Sequence, residues 1–533
     1  MISSFNIIIL LLWFVSAGIG YVEFCYIWQL KHYRLDRFKD FLSTEQGRSY
    51  WASYSLLWRS TAALIVFFWP INSIPTLKYA LVLFFAIDIL VQFIRYLKGR
   101  IKIPVRTKRV FILVLGAMFF EGGIFLLTHD WSLLFFLIIL RFFIMSFFVR
   151  LTQLPIEYLK KYFIKKATNK LGQYENLTII GITGSYGKTT VKEFLSHLLS
   201  GEFSVIKTPE HVNTEIGIAK FILRTDFTTT NIFVVEMGAY RRGEIKIICD
   251  MVHPKIGILT GINEQHLSLF GSLDDIKSAK YELLQSLPKD GLAVINMDTA
   301  YVDSLISSIK APIKTYGVDE SLNPNVLLHK IKSTDKGIYV EVTIDGEVNT
   351  KIVPITGEHL VMNLGACSLV AMHLDMKEEL YMGQMVTIKN PENTMKQYIF
   401  GKATIIDDSY NANPAGFLGA LETLALFPSY KRRIVITRGM LELGEESYTL
   451  HEKIGGAIAY RADELVIISK DSEEPLRNGV GNKFNTTIQV ITEPEKLLEY
   501  LLEHRKTDCV ILLENKLLAG VYDSIIKFFQ EIK

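Results

Sequence analysis

The 533-residue chain has few cysteines and no large excess of charge of either sign. Its four cysteines are scattered along the sequence, at Cys25, Cys249, Cys367 and Cys509. Because they show neither paired nor metal-ligand spacing, they exclude a disulfide scaffold and a zinc ribbon and fit a reducing compartment. The net charge of +3 gives no support to a nucleic-acid partner. With 49% hydrophobic and 21% charged residues, the chain is not intrinsically disordered.

The hydrophobic excess is concentrated before residue 150. Five apolar stretches there are each long enough, at about 20 residues, to cross a bilayer as a helix. We predict transmembrane helices at 5–28, 52–70, 77–97, 110–127 and 132–149. The first stretch is too long, and is followed too soon by others, to be a cleaved signal peptide. Residues 1–150 are therefore predicted to form a transmembrane helical domain.

Lysine and arginine indicate how these spans are oriented. Basic residues fill the loops after the first and third spans, at 31–48 and 98–109, whereas the connections at 71–76 and 128–131 contain none. By the positive-inside rule the two basic loops face the cytoplasm. The N-terminus is then predicted to lie outside the cell (inner) membrane, and the chain after residue 150 in the cytoplasm.

Charged residues also lie within the predicted spans, at Glu23, Asp88, Glu121 and Arg141. Glu121 and Arg141 are expected at similar depth on antiparallel neighbours, where they would pair. Such a pair marks a functional site or fixes helix packing, and we favour packing. Residues 151–175 carry five lysines among apolar residues. We expect an amphipathic linker on the anionic inner leaflet, with a plain solvated helix as the alternative.

From residue 176 onward, short β-branched runs alternate with helical segments, which is typical of parallel α/β sheets. We predict a central domain over 176–385 and a C-terminal domain over 386–533. The predicted strands are 177–182, 232–236, 256–260, 293–296, 403–407, 433–437, 464–468 and 510–513. The region 312–356 has alternating polarity and is predicted to be an antiparallel insert or sheet edge.

The first strand of the central domain leads into Gly181-Ile-Thr-Gly-Ser-Tyr-Gly-Lys-Thr-Thr190 and then a predicted helix at 191–199. Glycines allow a tight turn whose N–H groups face a phosphate. Lys188 supplies a charge for the β- and γ-phosphates, and Thr189 supplies a hydroxyl for Mg²⁺. The glycine spacing differs from that of the usual phosphate loop. The strand before it and the helix after it nevertheless favour nucleotide binding.

Three further residues of the central domain fit around that loop. Glu236 closes a hydrophobic strand, where an acidic residue would meet the Mg²⁺ of a bound nucleotide, although any strand can end in a carboxylate. His266 lies just after the next strand, and Lys280 follows on a predicted helix. Taken singly, the histidine is more typical of an incidental loop residue and the lysine of a solvated one.

Together these segments resemble the Mur ligase family. The resemblance is carried, in family order, by 181–190, 236–245, 266–280, 357–363, 407–414 and 440–444. The run Asp-Ser-Tyr-Asn-Ala-Asn-Pro at 408–414 is a specific signature. Within the family, the chain is most similar to ligases that add D-alanyl-D-alanine to UDP-N-acetylmuramoyl-tripeptide. The match implies a P-loop central domain and a Rossmann-like C-terminal domain.

The resemblance implies an ATP-dependent, ADP-forming amide ligase that activates a carboxylate as an acyl phosphate, which an amine then displaces. It implies ATP and two Mg²⁺ ions as cofactors. The implied catalytic residues are Lys188, Asn213, His266 and Lys280. The implied metal ligands are Thr189 and Glu236 for one ion, and His266 with a carbamylated Lys280 for the other. The implied ATP-binding residues are Gly184, Ser185, Tyr186, Gly187, Lys188, Thr189, Thr190, Asn363, Asp408, Asn411 and Asn413.

The chain departs from the family in two places. Soluble Mur ligases begin with a domain that binds UDP, but here only about 25 residues separate the last predicted span from the first catalytic strand, too few for a folded domain. Either UDP is bound differently or the acceptor is lipid-linked at the membrane surface, and we favour the second. The amine side also departs, at 438–440 and 513–516, so D-alanyl-D-alanine is only the family default.

We therefore predict a multi-pass membrane ligase of peptidoglycan-type cell-wall synthesis. Its expected partners are a UDP- or lipid-linked precursor, an amino acid or dipeptide, membrane lipids and other cell-wall enzymes, without nucleic acid. One alternative keeps the chemistry but makes a poly-γ-glutamate-like polymer. Another is an ATP-driven transporter, for which the sequence shows no ABC-type signature. The last is a non-catalytic scaffold, against which the retained Lys188, Glu236, His266 and Lys280 argue.

Overall fold

The computed structural model describes most of the chain. Outside the described part lie residues 1–3, 32, 44–46, 48–53, 69–76, 98–100, 264–266, 300–305, 335, 345, 410–412, 428–430, 442, 482–484 and 532–533. The chain divides into two compact units, Met1–Lys161 and Tyr162–Lys533. Each is described separately.

The first unit is helical. Its helices are α1 (Ser4–Leu30), α2 (Leu35–Ser43), α3 (Tyr54–Phe68), α4 (Leu77–Leu97), α5 (Lys108–Thr128) and α6 (Trp131–Leu151), followed by α7 (Gln153–Leu171), which continues into the second unit. In the part of the chain that the structure describes, four segments are long and apolar enough to cross a membrane. They are Ile7–Leu30, Tyr79–Leu97, Lys108–Thr128 and Trp131–Leu171, with mean hydropathies between 2.0 and 2.5.

Four of the five predicted spans thus coincide with long apolar helices. The expected span at 52–70 corresponds to α3, which has only 15 described residues. That is shorter than the roughly 20 residues that a bilayer requires. Residues 51–53 and 69–76, which flank α3, lie outside the described residues.

The predicted pairing of Glu121 with Arg141 is confirmed. Their side chains are fully buried, and the carboxylate and guanidinium approach to 2.8 Å between α5 and α6. Trp13 Nε1 and Tyr21 OH of α1 donate to the same carboxylate, at 2.6 and 2.7 Å. Because a buried carboxylate needs both a counter-charge and hydrogen-bond donors, this cluster fixes how three helices pack.

Ser16 connects this pair to a second one. Its hydroxyl accepts a hydrogen bond from Arg141 Nη1 at 3.1 Å and donates to Asp88 at 2.7 Å. Asp88 in turn pairs with Arg59 of α3 at 3.1 Å. The buried charges of these two pairs balance each other, which agrees with a role in helix packing.

The helix α7 covers most of the predicted linker, whose position on the inner leaflet stays a prediction. The last turns of α7 belong to the second unit, where Ala167 and Leu171 are buried with Ile179 in one hydrophobic cluster. Lys170 Nζ donates to the carbonyl oxygens of Leu223 and Thr225, at 3.2 and 2.6 Å. The second compact unit starts at Tyr162, because apolar residues of α7 complete its core.

The second unit begins with a mostly parallel sheet whose strand order is β2-β3-β1-β4-β5-β6-β7-β8-β9. Its strands are β1 (Thr178–Thr183), β2 (Val205–Lys207), β3 (Ile232–Glu236), β4 (Ile256–Leu259), β5 (Leu292–Asn296), β6 (Ile313–Gly317), β7 (Val326–Thr334), β8 (Gly337–Ile344) and β9 (Glu347–Val353). Of the region 312–356, which was predicted to be an antiparallel insert or sheet edge, β7, β8 and β9 pair antiparallel at the end of the sheet, whereas β6 pairs parallel with β5 and β7.

The helices of this part accompany the sheet. They are α8 (Lys188–Leu199), α9 (Glu215–Arg224), α10 (Glu244–Val252), α11 (Leu267–Phe270), α12 (Leu273–Gln285), α13 (Glu358–Val361), α14 (Asn363–His373) and α15 (Glu378–Met385). The parallel strand β1 lies between β3 and β4, and the next two strands in the chain lie on one side of it. Ligands of open α/β sheets bind at such a switch point, beyond the carboxyl ends of the strands.

A second sheet follows, with strand order β14-β13-β12-β15-β11-β10-β16. Its strands are β10 (Lys396–Phe400), β11 (Ala403–Asp408), β12 (Arg432–Thr437), β13 (Glu464–Ile467), β14 (Thr487–Val490), β15 (Cys509–Glu514) and β16 (Gln530–Glu531). Its helices are α16 (Pro414–Ala425), α17 (Ser447–Arg461), α18 (Glu473–Val480), α19 (Pro494–His504) and α20 (Val521–Ile525). The predicted pair of α/β domains is confirmed, with the change of sheet between Met385 and Lys396.

Candidate nucleotide and metal site

Residues 184–190 form the loop after β1 and the first turn of α8. Gly184 and Gly187 have φ angles of +152° and +75°, which side chains rarely allow. A Cβ at Gly184 would overlap the Thr260 hydroxyl, and one at Gly187 would lie 2.9 Å from Asn363 Oδ1. Both glycines are therefore required by the close packing of the loop. The loop leads directly into the N-terminus of α8, which favours an anion.

Lys188 curls back over this loop. Its Nζ donates to the carbonyl oxygens of Gly184 and Ser185, at 2.7 and 3.2 Å. Burial lowers the pKa of Lys188, and the negative charge of Glu236 opposes that shift. The ammonium is thus held over the loop at the N-terminus of α8, which suits it to bind phosphate.

Glu236 lies at the end of β3, in register with Ile182 of β1. Its carboxylate accepts hydrogen bonds from Thr189 Oγ1 and from Asn213 Nδ2, both at 3.1 Å. Burial by itself would raise the pKa of Glu236. The positive charges of Lys192 and Lys188 and the hydrogen bond from Asn213 lower it by a larger amount, so the pKa lies below its usual value. The carboxylate is ionised and fixed beside the phosphate loop.

Lys192 is a member of this cluster that the sequence did not reveal. It lies one turn after Lys188 on α8, is fully buried, and places Nζ 3.2 Å from Glu236 Oε2. A lysine four residues after another lysine on one helix face is the signal that would have found it. On its own, that spacing is common on solvated helix faces.

Lys280 lies on α12 and is only 2% exposed. Burial, together with the nearby positive charge of Lys188, lowers its pKa to about 7, although the negative charges of Glu244 and Glu282 act in the opposite direction. Its Nζ is 5.7 Å from the centre of the Phe270 ring. The interpretation of Lys280, taken by itself, as a solvated lysine does not apply, because this amine is buried and the charge of Lys188 acts on it.

Asn363 and Asn413, both predicted to bind ATP, lie near the phosphate loop. Asn363 begins α14 and has its side-chain oxygen beside Gly187. Asn413 precedes α16, and its Oδ1 accepts from Gly416 N at 3.0 Å and from Asn263 Nδ2 at 3.4 Å. Asn263 N donates to Ser185 Oγ at 3.2 Å. Asn263, which the sequence did not single out, thus connects the phosphate loop to the C-terminal sheet domain.

Asp408 has a different environment. Its Oδ1 accepts a hydrogen bond from Met395 N at 3.1 Å, and it lies opposite Glu514 on the neighbouring strand. Burial raises the pKa of Asp408 to about 7. The side chain is held within the C-terminal sheet domain at the carboxyl edge of β11. Two other predicted residues, His266 and Asn411, lie outside the described residues.

The donor set at Glu236 suits Mg²⁺. Among the described residues, no group of three or more His, Cys, Asp or Glu side chains forms a metal site by itself. Mg²⁺ is commonly held by one or two carboxylates together with substrate phosphates and water. The Glu236 carboxylate and the Thr189 hydroxyl, adjacent to the phosphate loop, are hard oxygen donors of that kind.

These features define the class of the molecule. A glycine-rich loop between a parallel strand and a helix, with a lysine and a hydroxyl at its end and a carboxylate on the adjoining strand, is the site of a P-loop nucleotide-binding protein. A second α/β domain reaches this site through Asn413.

Comparison with known proteins identifies the family. Residues 182–371 match the Mur ligase middle domain, and residues 394–514 match the Mur ligase glutamate ligase domain. Together the matches cover more than half of the chain. The chain belongs to the Mur ligase family of ATP-dependent peptide ligases.

Three similar proteins illustrate the relationship. A UDP-N-acetylmuramoyl-tripeptide–D-alanyl-D-alanine ligase of Bacillus subtilis is 29% identical over 338 residues, which are 63% of this chain and 72% of that protein. The ligase of the same name from Escherichia coli is 28% identical, with 66% and 77% covered. The solved structure of the MurF ligase of Thermotoga maritima in complex with ADP is 25% identical with a TM-score of 0.59, covering 69% and 83% of the two chains.

Proposed function

We propose that this chain is a membrane-bound Mur ligase that uses ATP to join the carboxylate of a cell-wall precursor to the amine of D-alanyl-D-alanine. The observation that carries this proposal is the cluster of Lys188, Thr189 and Glu236 beside the phosphate loop. The relatives whose names specify D-alanyl-D-alanine support the choice of amine.

In the proposed reaction, the γ-phosphoryl group moves from ATP to the precursor carboxylate and gives ADP and an acyl phosphate. The amine then attacks the acyl carbon, so that an amide bond forms and phosphate leaves. Lys188 and the loop N–H groups would bind the phosphate charge, and Asn213 would hold Glu236 in place. Mg²⁺ bound at Thr189 and Glu236 would neutralise charge on the transferring group.

We propose His266 and Lys280 as ligands of a second Mg²⁺, with Lys280 carbamylated. A neutral amine reacts with CO₂ and loses a proton, which converts a cationic side chain into an anionic oxygen ligand. The pKa of Lys280, which burial lowers to about 7, supports this role because much of the amine is neutral at cellular pH. Asn363, Asp408, Asn411 and Asn413 are proposed to surround the adenosine.

We propose that the first unit anchors the ligase in the cell membrane, with the N-terminus outside and the catalytic domains in the cytoplasm. The long apolar helices and the basic loops after α1 and α4 support this arrangement. We also propose a lipid-linked acceptor at the membrane surface. The matched family domains begin at residue 182, and the elements that the structure describes before β1 are helices.

The test uses the detergent-purified full chain with ATP, D-alanyl-D-alanine and either UDP-N-acetylmuramoyl-tripeptide or its lipid-linked counterpart. ADP release and product mass are followed together. We expect a pentapeptide product that requires both the acceptor and the dipeptide, with the lipid-linked acceptor preferred. Preference for the UDP-linked acceptor would leave the ligase reaction intact and make the first unit mainly an anchor.

Two variants make this test specific. Lys188→Met should lower kcat by about 10²- to 10³-fold, the usual effect of removing a preorganised group that stabilises transition-state charge. Lys246→Met, on an exposed face of α10 where the lysine pairs with Asp250, should leave kcat unchanged. ADP release that needs neither acceptor nor dipeptide would contradict the proposal, and a product of another mass would favour a different envelope polymer.

A further inference from the structure

Lys192 combines complete burial with incomplete hydrogen bonding. Its side chain has no exposed surface, and Nζ lies 3.2 Å from Glu236 Oε2 and 3.6 Å from Glu193 Oε1. No hydrogen-bond partner of suitable geometry meets Nζ among the described residues. Buried lysines are rare unless they are paired. The ammonium is therefore held by charge, and its nearest counter-charge is the carboxylate that is proposed to bind Mg²⁺.

The charges around Glu236 are unbalanced toward the positive side. Lys188 and Lys192 both lower the pKa of this single carboxylate. Glu193 is partly exposed and is shared with Lys207, so it neutralises Lys192 only in part. The negative charges of Glu244 and Glu282 act on a third buried lysine, Lys280, whose pKa both raise, and Glu244 also pairs with Arg241. A divalent cation approaching Glu236 would meet net positive charge unless phosphate were also present.

Lys192 and Thr189 contact the same carboxylate oxygen of Glu236, Oε2. Thr189 Oγ1 donates to Oε2 at 3.1 Å, and Lys192 Nζ lies 3.2 Å from that atom. A cation that used Oε2 as a ligand would have to share it with the buried ammonium. The polyphosphate of a nucleotide supplies the negative charge that makes both cations compatible.

We propose that Lys192 is a positioning residue that holds Glu236 in the nucleotide-free site and prevents a divalent cation from binding there before the nucleotide. This inference rests on the proposed function, because it assigns Glu236 to the metal. Because of Lys192, the divalent cation binds tightly only when the nucleotide is bound, so the two ligands bind cooperatively. In the absence of Lys192, Lys188 would be the only one of these two lysines left to act on Glu236, and the carboxylate would attract other cations more strongly.

The experiment measures metal binding directly. Mn²⁺ is titrated into the detergent-purified full chain without nucleotide, and bound Mn²⁺ is counted by electron paramagnetic resonance. Parallel titrations contain β,γ-methylene ATP and are corrected for Mn²⁺ bound to the free analogue. The wild type should bind Mn²⁺ weakly alone and about 100-fold more tightly with the analogue. Lys192→Met should bind Mn²⁺ at least about 10-fold more tightly than the wild type without nucleotide, and the coupling should shrink by the same factor.

Three further variants control the result. Lys192→Arg keeps the charge and should behave as the wild type, which a loss of packing alone would not explain. The double variant Lys192→Met/Glu236→Gln should lose the gained Mn²⁺ site, which assigns that site to Glu236. Lys246→Met, a surface lysine paired with Asp250, should leave Mn²⁺ binding unchanged. If Lys192→Met does not fold, Lys192→Gln replaces it in the experiment, because it also removes the positive charge but keeps a polar side chain.

Unchanged or weaker Mn²⁺ binding in the folded neutral variant would overturn the inference. This failure is distinct from failure of the proposed function. A chain that binds β,γ-methylene ATP and Mn²⁺ but forms no amide product would refute the ligase assignment and leave the role of Lys192 intact.

Discussion

Asp408 and Glu514 are two acids opposite each other on neighbouring parallel strands of the C-terminal sheet. Burial raises the pKa of both carboxyl groups, that of Asp408 to about 7. In the unfolded chain both ionise at about pH 4. Between about pH 4 and 7 the folded chain therefore binds more protons, and the free energy of unfolding falls as the pH rises. The loss is at most about 1.4 kcal/mol per pH unit for each group.

Glu514→Gln should remove the contribution of Glu514 to the pH dependence of the free energy of unfolding. The stabilising effect of protonation is complete below about pH 4 and is lost toward neutral pH, so the variant should gain stability relative to the wild type as the pH rises. The measurement is the difference in Tm between the two proteins from pH 5 to pH 8. Glu503→Gln, an exposed acid on α19, should show no such trend. A difference in Tm that is independent of pH would contradict this account of the pair.

Single residues were predicted to different extents. Glu236 lies at a strand end, as predicted, because it follows a run of apolar residues that form β3, and parallel sheets bind their ligands at such ends. Its role as a metal ligand stays a prediction. Lys192 was missed, since its burial depends on packing against β3, which lies more than thirty residues further along the chain. Lys280 was read singly as a solvated lysine for the same reason. The family resemblance, rather than its spacing, indicated its role.

Asn413, which precedes helix α16, accepts hydrogen bonds from two different partners. Asn413 caps the helix through Gly416 N, Pro414 occupies the first helical position, and Asn413 Oδ1 also accepts from Asn263. Asn413→Ala should lower the free energy of unfolding by about 1 kcal/mol, because the cap is lost. Asn413→Asp retains an acceptor oxygen for both partners and should stay close to the wild type. Equal loss in both variants, measured by denaturant unfolding, would refute the capping role.

Helices α5 and α6 are joined by the buried pair of Glu121 and Arg141. Arg141→Met should destabilise the first unit by about 3–5 kcal/mol, since it leaves an uncompensated buried carboxylate. The double variant Glu121→Gln/Arg141→Met should recover most of this loss. Thermal unfolding of the full chain in detergent measures both effects. If the double variant is as unstable as the single one, unpaired charge is not the cause.

Strands were predictable where burial is continuous along them. The strand β3 has five buried residues in a row and was predicted with its observed bounds. Strand β2 has only three residues, all partly buried, and β16 has two, so neither produces an apolar run. Short edge strands are specified by neighbours that are distant in sequence, which a local pattern does not contain.

For the whole molecule, the orientation of the first unit is testable with two cysteine variants. The four native cysteines are buried and should react slowly with a membrane-impermeant maleimide. Thr128→Cys lies in the predicted outer connection and should be labelled on intact cells. Lys102→Cys lies in the basic loop after α4 and should be labelled only after the membrane is permeabilised. The reverse pattern would invert the proposed topology and place the ATP site outside the cytoplasm.

The order of the two α/β domains along the chain was predictable, but the start of the second compact unit within α7 was not. The alternation of strands and helices showed two α/β domains, whereas the burial of Ala167 and Leu171 moved the start of the second unit into α7. The contact between Asn263 and Asn413 joins residues 150 positions apart. No local pattern indicates such a pair, so the route from the phosphate loop to the C-terminal sheet domain needed the structure.

The most direct test of the proposed reaction follows an oxygen atom. The acceptor is prepared with ¹⁸O in its reacting carboxylate and incubated with ATP, D-alanyl-D-alanine and the full chain, and the released phosphate is analysed by mass spectrometry. If the carboxylate is activated by phosphoryl transfer, each phosphate released with a molecule of amide product carries one ¹⁸O from the acceptor. Unlabelled phosphate would show that ATP is hydrolysed by water and would contradict the assignment of this chain as a carboxylate-activating ligase.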